Sequence, residues 1–365
     1  MKNFLCTCGQ TLYFENTRCT ACQRRIGYDP ELCTLLALDP VYDEHGTLGE
    51  CWRAADGGQL YQLCLNDIDY AVCNWLVSSP NMSYCLACSL NHIVPGVESR
   101  HRQLQKRQWW ASMEQAKRRL LYTLMALGLP VHSKAEDPVS GLAFAFLEDQ
   151  SSNPLVREKH VLTGHAEGLI TVNLAEADNA LREHARQRLG EPYRTLLGHF
   201  RHESGHYYFD RLIWRHEDLQ TFRQLFGDER RDYDQAIAAY YGCQDNEERR
   251  PDMISAYAQA HPLEDWAECW AHYLHMIDTL ETAAEYGVVV QTEAYSNWSQ
   301  NIEACFAHWS QVSVMLNSLN RSMGLEDAYP FVLSAQTLNK LRFVHRMICP
   351  NSTPMQTGAS VGTHP

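Results

Sequence analysis

The segment Gly198-His-Phe-Arg-His-Glu-Ser-Gly-His-Tyr-Tyr-Phe-Asp210 sets two histidines, His202 and His206, four residues apart. On a helix that spacing puts both imidazoles on one face, where they can hold one metal ion. Glu203 lies one position along and can reach a water on that metal as a general base. The pattern alone also fits a surface helix with two chance histidines, so its surroundings decide. Catalytic zinc usually keeps three protein ligands and one water, and the downstream segment from Ser255 to His275 can supply the third. Pro262 suits a helix start. Glu264, Glu268 and His272 then stack along one face at i, i+4 and i+8, beside Trp266, Trp270 and Tyr273. Two acids and a histidine in aromatic company are unusual for a plain solvated face. Asp210, one turn past His206, could orient it through the far ring nitrogen; a helix-surface role suits it equally. His165 and His199 read as core or surface histidines, with substrate contact as the alternative.

A second chemistry comes from cysteine. The chain has 14 cysteines, ten of them before residue 90. Cys6, Cys8, Cys19 and Cys22 form two close pairs, each suited to the tip of a tight turn. Two such turns facing each other give a zinc ion four sulfur ligands and leave no open position. Cys64, Cys73, Cys85 and Cys88 form a looser second set, with Cys33 and Cys51 competing for a ligand place. Simple burial of small apolar side chains is the alternative for some of these. Cys243, Cys269, Cys305 and Cys349 are scattered on helical segments and read as core.

These residues need elements to position them. Residues 1–95 are cysteine-rich and turn-rich, with short strand-like pieces such as Thr11 to Phe14, and read as a zinc-ribbon module in which metal replaces a core. Its job could be structural, or recognition of a protein partner. Residues 96–349 read as a larger, mainly helical domain with a small sheet, giving an α+β chain. A helical pattern from Ser99 to Leu127 mixes Arg100, Arg102, Lys106, Arg107, Lys117, Arg118 and Arg119 with apolar positions, and the basic residues read as a solvated face. Gly128-Leu-Pro130 stops that helix. Leu142–Leu147 and Gly168–Leu174 read as strands, and the edge of the second could hold an extended substrate. Glu191-Pro192 reads as the start of the motif helix. Residues 350–365, rich in Ser, Thr, Gly and Pro, read as a disordered tail.

Composition narrows the function classes. Apolar residues make up 45% and charged residues 21%, as in ordinary globular chains. A net charge of −13 disfavours binding to phosphate backbones. No stretch of about eighteen apolar residues suggests a membrane span. Met1 to Leu5 does not resemble a secretory signal, so the expectation is a reducing cytoplasm, where crowded cysteines ligate metal.

Several motifs agree in order: Cys6-x-Cys8 with Cys19-x-x-Cys22, Cys73-Asn-Trp, Cys85-x-x-Cys88-x-Leu-Asn, Gly164-His165, Ile170-Thr-Val-Asn173, His202-Glu-x-Gly-His206 and Glu264-Asp-Trp-Ala-Glu268-x-Trp-Ala-His272. Together they resemble the bacterial zinc-binding metallopeptidases with an N-terminal zinc ribbon, from Cys6 to about Met347. A more distant resemblance is to gluzincins such as anthrax lethal factor and the Pro-Pro endopeptidases. These carry a Tyr seven residues before a zinc-binding Glu, followed by aromatic-Ala-Glu. Tyr257, Glu264 and Ala267-Glu268 match that arrangement, whereas Asp265-Trp266 stands where two aromatics are usual. The resemblance implies a zincin-like fold with Glu264 as third ligand, Glu268 behind the ligands, and Tyr257 facing the reacting carbonyl. It brings no known substrate.

The implied activity is zinc-dependent hydrolysis of peptide bonds in a peptide or protein, with Glu203 as general base and Tyr257 as oxyanion donor. About three zinc ions are expected, one catalytic and two structural. The competing readings are a zinc-stabilised protein-binding scaffold without turnover and a hydrolase acting on a non-peptide amide.

Overall fold

The computed structural model describes residues 2–45, 47–97, 103–189, 195–214, 217–242, 250–288 and 301–350. The expected helix start at Pro192, the positions Arg100 and Arg102, Cys243, and all but the first residue of the C-terminal tail lie outside these.

The chain is mixed α+β, with a zinc-ribbon-like region followed by a mostly helical part. A short hairpin opens it, β1 (Phe4–Leu5) with β2 (Thr11–Leu12). A five-stranded antiparallel meander follows: β3 (Arg25–Asp29), β4 (Thr34–Tyr42), β5 (Leu48–Ala54), β6 (Leu60–Leu63) and β7 (Leu76–Val77). Two short helices, α1 (Leu65–Tyr70) and α2 (Leu86–Ser89), carry parts of the second cysteine set on their N-terminal sides. The next strand, β8 (Asn91–Ile93), does not join this meander. It pairs in parallel with β9 (Ala143–Leu147), in the sheet of the helical part.

That second sheet has the order β10-β11-β9-β8, with β10 (Gly164–Ala166) antiparallel to β11 (Leu169–Asn173), which lies parallel to β9. Glu167 and Gly168 form the two-residue turn, with φ of 49° and 81°. Paired positive values suit a primed hairpin turn, which favours glycine. A β-carbon at Gly168 would sit 2.2 Å from the Gly141 carbonyl oxygen, so glycine is needed there for space as well. The strand expected to offer an edge is therefore paired on both sides, and among the described residues the edges of this sheet are β10 and β8.

The helices are α3 (Gln103–Ala126), α4 (Asn179–Leu189), α5 (Leu196–Leu212), α6 (Leu219–Phe226), α7 (Tyr233–Gly242), α8 (Pro262–Glu285), α9 (Ile302–Ser322) and α10 (Ala335–Ile348). Helix α5 packs on both α8 and α3. No helix among the described residues is long and apolar enough to cross a membrane.

One apolar core runs through both parts, from Phe4, Tyr28 and Trp75 through Trp110 and Leu120 to Phe200 and Trp266. Phe14 and Tyr28 of the ribbon region pack edge-on against Tyr122 of α3, at ring distances of 5.3 and 6.3 Å. Metal thus adds to a shared core rather than standing in for one.

The basic residues of α3 depart most from the sequence reading. Lys106, Lys117 and Arg118 are buried, whereas Leu104 is exposed. Each buried cation has partners: Lys106 reaches Glu148 (2.9 Å), Lys117 pairs with Glu114 (2.8 Å) and bonds Asn91, and Arg118 donates to the Val72 carbonyl (2.7 Å). Arg118 also lies within electrostatic reach of Cys73, Cys85 and Cys88. This face of α3 is a polar seam against the ribbon region. Periodicity cannot separate a solvated basic stripe from a paired buried one, because the partners come from distant sequence.

Removing one partner from a buried charge pair typically costs about 3–5 kcal/mol. Arg118→Ala is therefore expected to lower the urea unfolding midpoint by the equivalent of about 3 kcal/mol. A change below about 0.5 kcal/mol would show that this seam does not hold the two parts together.

Candidate metal centre

Helix α5 begins where Thr195 caps it, its Oγ1 accepting the Gly198 N–H at 2.9 Å. Helix α8 begins at His261, whose Nδ1 accepts the Leu263 N–H at 3.2 Å, with Pro262 in the first turn. Glu264 and Asp265 lie in that turn too, where the helix dipole favours carboxylates. The helices meet at Gly205, in the middle of the histidine motif. A β-carbon there would lie 2.9 Å from Ala267 Cα and 3.2 Å from Trp270 Cβ. Two indoles bind the contact from the α8 side: Trp266 Nε1 donates to the Gly205 carbonyl (2.8 Å) and Trp270 Nε1 to Ser204 Oγ (3.0 Å).

This approach brings the carboxylates of α8 to the imidazoles of α5. His202 Nε2 lies 3.0 Å from Glu264 Oε2 and 3.2 Å from His206 Nε2, and His206 Nε2 lies 3.4 Å from Glu264 Oε1. Tetrahedral zinc with nitrogen and oxygen ligands at about 2.0–2.1 Å requires ligand separations of about 3.3 Å, so the three groups fit such an ion. On the far side of the His202 ring, Nδ1 donates to Glu268 Oε1 at 2.7 Å. That bond leaves the Nε2 lone pair aimed at the cluster.

Electrostatics point the same way. Burial disfavours a charged His202 ring, but its bonds to Glu264 and Glu268 outweigh this and hold its pKa well above the usual histidine value. Burial also opposes ionised Glu264, yet the neighbouring His206 and His202 hold its pKa well below the usual carboxylate range. The two carboxylates thus favour positive charge at His202, whether a proton or a metal ion that would displace it. Glu203 is buried on the same helix, and its Oε2 has no hydrogen-bond partner among the described residues. Burial raises its pKa, against the lowering influence of His202 and His206.

Two tyrosines complete the surroundings. Tyr257 sits in a single 3-10 turn before α8, its ring 5.9 Å from that of His202. Burial and then Glu264 raise its pKa, so it is held as a protonated donor. Tyr233, at the start of α7, donates its hydroxyl to Glu264 Oε1 at 2.7 Å. Sequence reasoning did not single it out, because nothing in the spacing between residues 206 and 257 marks it. Gly205 was also not singled out, although a glycine inside a helix lowers helix propensity and can have a packing reason.

The remaining candidates fall elsewhere. Asp265 turns away from the histidines to pair with Lys340 of α10 at 2.6 Å, and burial lifts its pKa to about 7 despite that partner. The acidic residue at this unusual place thus anchors α8 to α10, while Glu264 faces His202 and His206. Asp210 lies at the surface within electrostatic reach of His206, with no hydrogen bond to it among the described residues. His165 accepts the Gly168 N–H (3.0 Å), fixing the β10–β11 turn, and burial pulls its pKa down to about 4. His199 lies 3.5 Å from Glu176, and His272 shares a 2.8 Å hydrogen bond with Tyr329.

Both cysteine sets converge. Cys6 and Cys22, Cys8 and Cys19, and Cys73 and Cys85 approach to 3.6 Å, and Cys88 lies 3.7 Å from Cys73. These are far beyond a disulfide length of about 2.05 Å and close to the roughly 3.8 Å edge of a zinc-thiolate tetrahedron. Cys64 belongs to the second group. Backbone N–H groups, that of Cys22 foremost, pull the Cys19 pKa down to about 6, which favours the thiolate a metal needs. Cys33 and Cys51 join neither group. Cys269 and Cys305 are buried and Cys349 partly so.

The sequence profile of the family described as "Putative zinc-binding metallo-peptidase" matches residues 106–347, and that of a zinc-ribbon domain matches residues 3–99. The chain is 40% identical over 354 residues to uncharacterised proteins of Mycobacterium bovis and of two strains of Mycobacterium tuberculosis, covering 95% of this chain and 95% of each relative. No solved structure matches.

Because the atoms facing Gly205 include backbone, Gly205→Ala must push the two helices apart. The expected result is a loss of about 2 kcal/mol or more, together with loss of the ion held by His202, His206 and Glu264 but retention of the thiolate-bound metal. Thermal unfolding and metal analysis check both. Wild-type stability with full metal content would show that the crossing tolerates a side chain.

Proposed function

We propose that this chain, which belongs to the zinc-binding metallopeptidase family, hydrolyses peptide bonds at the centre formed by His202, His206 and Glu264. The observation that carries the reading is the unpartnered Oε2 of buried Glu203, one residue along from His202. A scaffold needs ligands but no spare carboxylate, and leaving one buried and unsatisfied costs stability unless it has other work.

Zinc held there would supply Lewis acidity toward a carbonyl and a water acidic enough to react near neutral pH. The chain's own residues do the rest. Glu203 accepts the proton of the attacking water and returns it to the departing amine. Its raised pKa suits a group that must carry a proton between two steps. Tyr257 donates a hydrogen bond to the oxygen on which negative charge develops. Glu268 holds the His202 ring by its Nδ1 hydrogen. The free edge of β10, against which α5 packs, can take an extended peptide by backbone hydrogen bonds. The two groups of four cysteines are filled by protein ligands and serve structure, and the ribbon region offers a surface for a protein partner. The activity is that of a cytoplasmic enzyme acting on peptides or proteins.

Glu203→Gln is the direct test. It should keep the fold and all bound zinc while reducing cleavage of a peptide library by at least about 100-fold. Unchanged cleavage would remove Glu203 from the mechanism, and a wild-type protein that cleaves nothing would favour the scaffold.

Zinc analysis should give about three ions per chain. His202→Ala and Cys19→Ser should each lose one, from different parts of the molecule. Loss of no ion in His202→Ala would contradict the proposed centre.

A further inference from the structure

Glu264 has two carboxylate oxygens, and they are not equivalent in their surroundings. Oε2 faces His202 Nε2 at 3.0 Å; Oε1 lies 3.4 Å from His206 Nε2 and accepts the Tyr233 hydroxyl at 2.7 Å. A carboxylate rotates easily about its last bond. Left alone, it can offer a metal either oxygen or both. A hydroxyl hydrogen fixed on one oxygen stops that rotation and withdraws charge from the oxygen it touches.

Tyr233 is itself held for this task. Its ring packs edge-on against His261, with centroids 5.2 Å apart. His261 is buried and its two ring nitrogens are both engaged. Nδ1 accepts the Leu263 N–H, so the hydrogen sits on Nε2, which donates to the Arg231 carbonyl at 3.1 Å. One imidazole thus ties the chain just before α7 to the first turn of α8, fixing the distance between Tyr233 and Glu264. Tyr233 is also 43% exposed. A tyrosine placed to fill a core would be buried; this one is partly open to solvent while its hydroxyl is bound to buried Glu264.

We infer that Tyr233 is a positioning residue for the metal centre: its hydroxyl restrains Glu264 Oε1, so that Oε2 is the oxygen presented beside His202. This rests on the reading that Glu264 and the two histidines share one ion. A single oxygen from Glu264 leaves more of the coordination sphere open for water and substrate than a carboxylate bound through both.

The test is Tyr233→Phe in the full-length protein, a change that removes the hydroxyl and keeps the ring. Zinc affinity of the centre is measured by chelator competition. The centre is then reloaded with cobalt, with the thiolate sites left in zinc, and its visible absorption is recorded. The expected result is at least about tenfold weaker zinc binding and a cobalt spectrum changed in position or intensity, with unaltered circular dichroism and unaltered thiolate-bound zinc. Affinity within twofold of wild type with an identical cobalt spectrum would overturn the inference. Glu264→Gln separates the two possible failures. Weak zinc binding in Glu264→Gln beside wild-type behaviour in Tyr233→Phe overturns only the role of Tyr233. Wild-type zinc binding in Glu264→Gln removes Glu264 from the centre, and Tyr233 with it.

Discussion

Two helices can place their side chains around one small ion only if their backbones come close. The usual interaxial distance of 8–10 Å is set by the side chains between them. At Gly205 there is none, and the neighbouring space is taken by Ala267 Cα and Trp270. A glycine inside a helix costs about 1 kcal/mol relative to alanine. Here that cost is offset by the packing of Trp266 and Trp270 and by their indole hydrogen bonds to Gly205 and Ser204. With the crossing fixed, Glu264 and Glu268, one turn apart on α8, meet opposite sides of the His202 ring. The cluster of His202, His206 and Glu264 and the bond that orients the His202 ring are two results of one contact.

The same crossing is braced by buried charge. Asp265 of α8 pairs with Lys340, and Asp278 of α8 pairs with Arg201, the residue before His202, while accepting Thr123 Oγ1 of α3 at 2.6 Å. Such pairs add little net stability over apolar packing but are costly to break singly, which makes them good at fixing position. Helix α3 in turn holds the ribbon region through Arg118 and Lys117. A continuous set of packed and bonded groups therefore runs from the second cysteine set to the residue beside the motif. The ribbon region is joined to the helical part through β8, the shared core and this seam, rather than tethered as a separate module.

Chemistry was legible in the sequence where residue type and spacing suffice. Four-residue spacing on a helix brings His202 and His206 together, and paired cysteines at turns form sulfur clusters. The preference for Glu264 over Glu268 came from resemblance, since both lie on the same face of α8. The structure puts Glu264 with the histidines and Glu268 behind His202. Long-range pairing was not legible. Tyr233 comes to Glu264 only because His261 ties two distant segments together. Lys106, Lys117 and Arg118 find buried partners on β8, in the loop after β9 and in the ribbon region. Strand β8 leaves the cysteine-rich part to enter another sheet, and β10, only three residues long, displaces β11 from the edge. In each case the deciding partner is remote in sequence, and local pattern carries no trace of it.

The central claim is that one zinc ion is held by His202, His206 and Glu264, with Glu268 outside its reach. Anomalous diffraction at the zinc edge, on crystals of the purified protein, tests it most directly. The account predicts a peak within about 2.0–2.2 Å of His202 Nε2, His206 Nε2 and a Glu264 oxygen, besides those in the two thiolate clusters. A peak coordinated by Glu268 in place of Glu264, or zinc in the thiolate clusters alone, would contradict it.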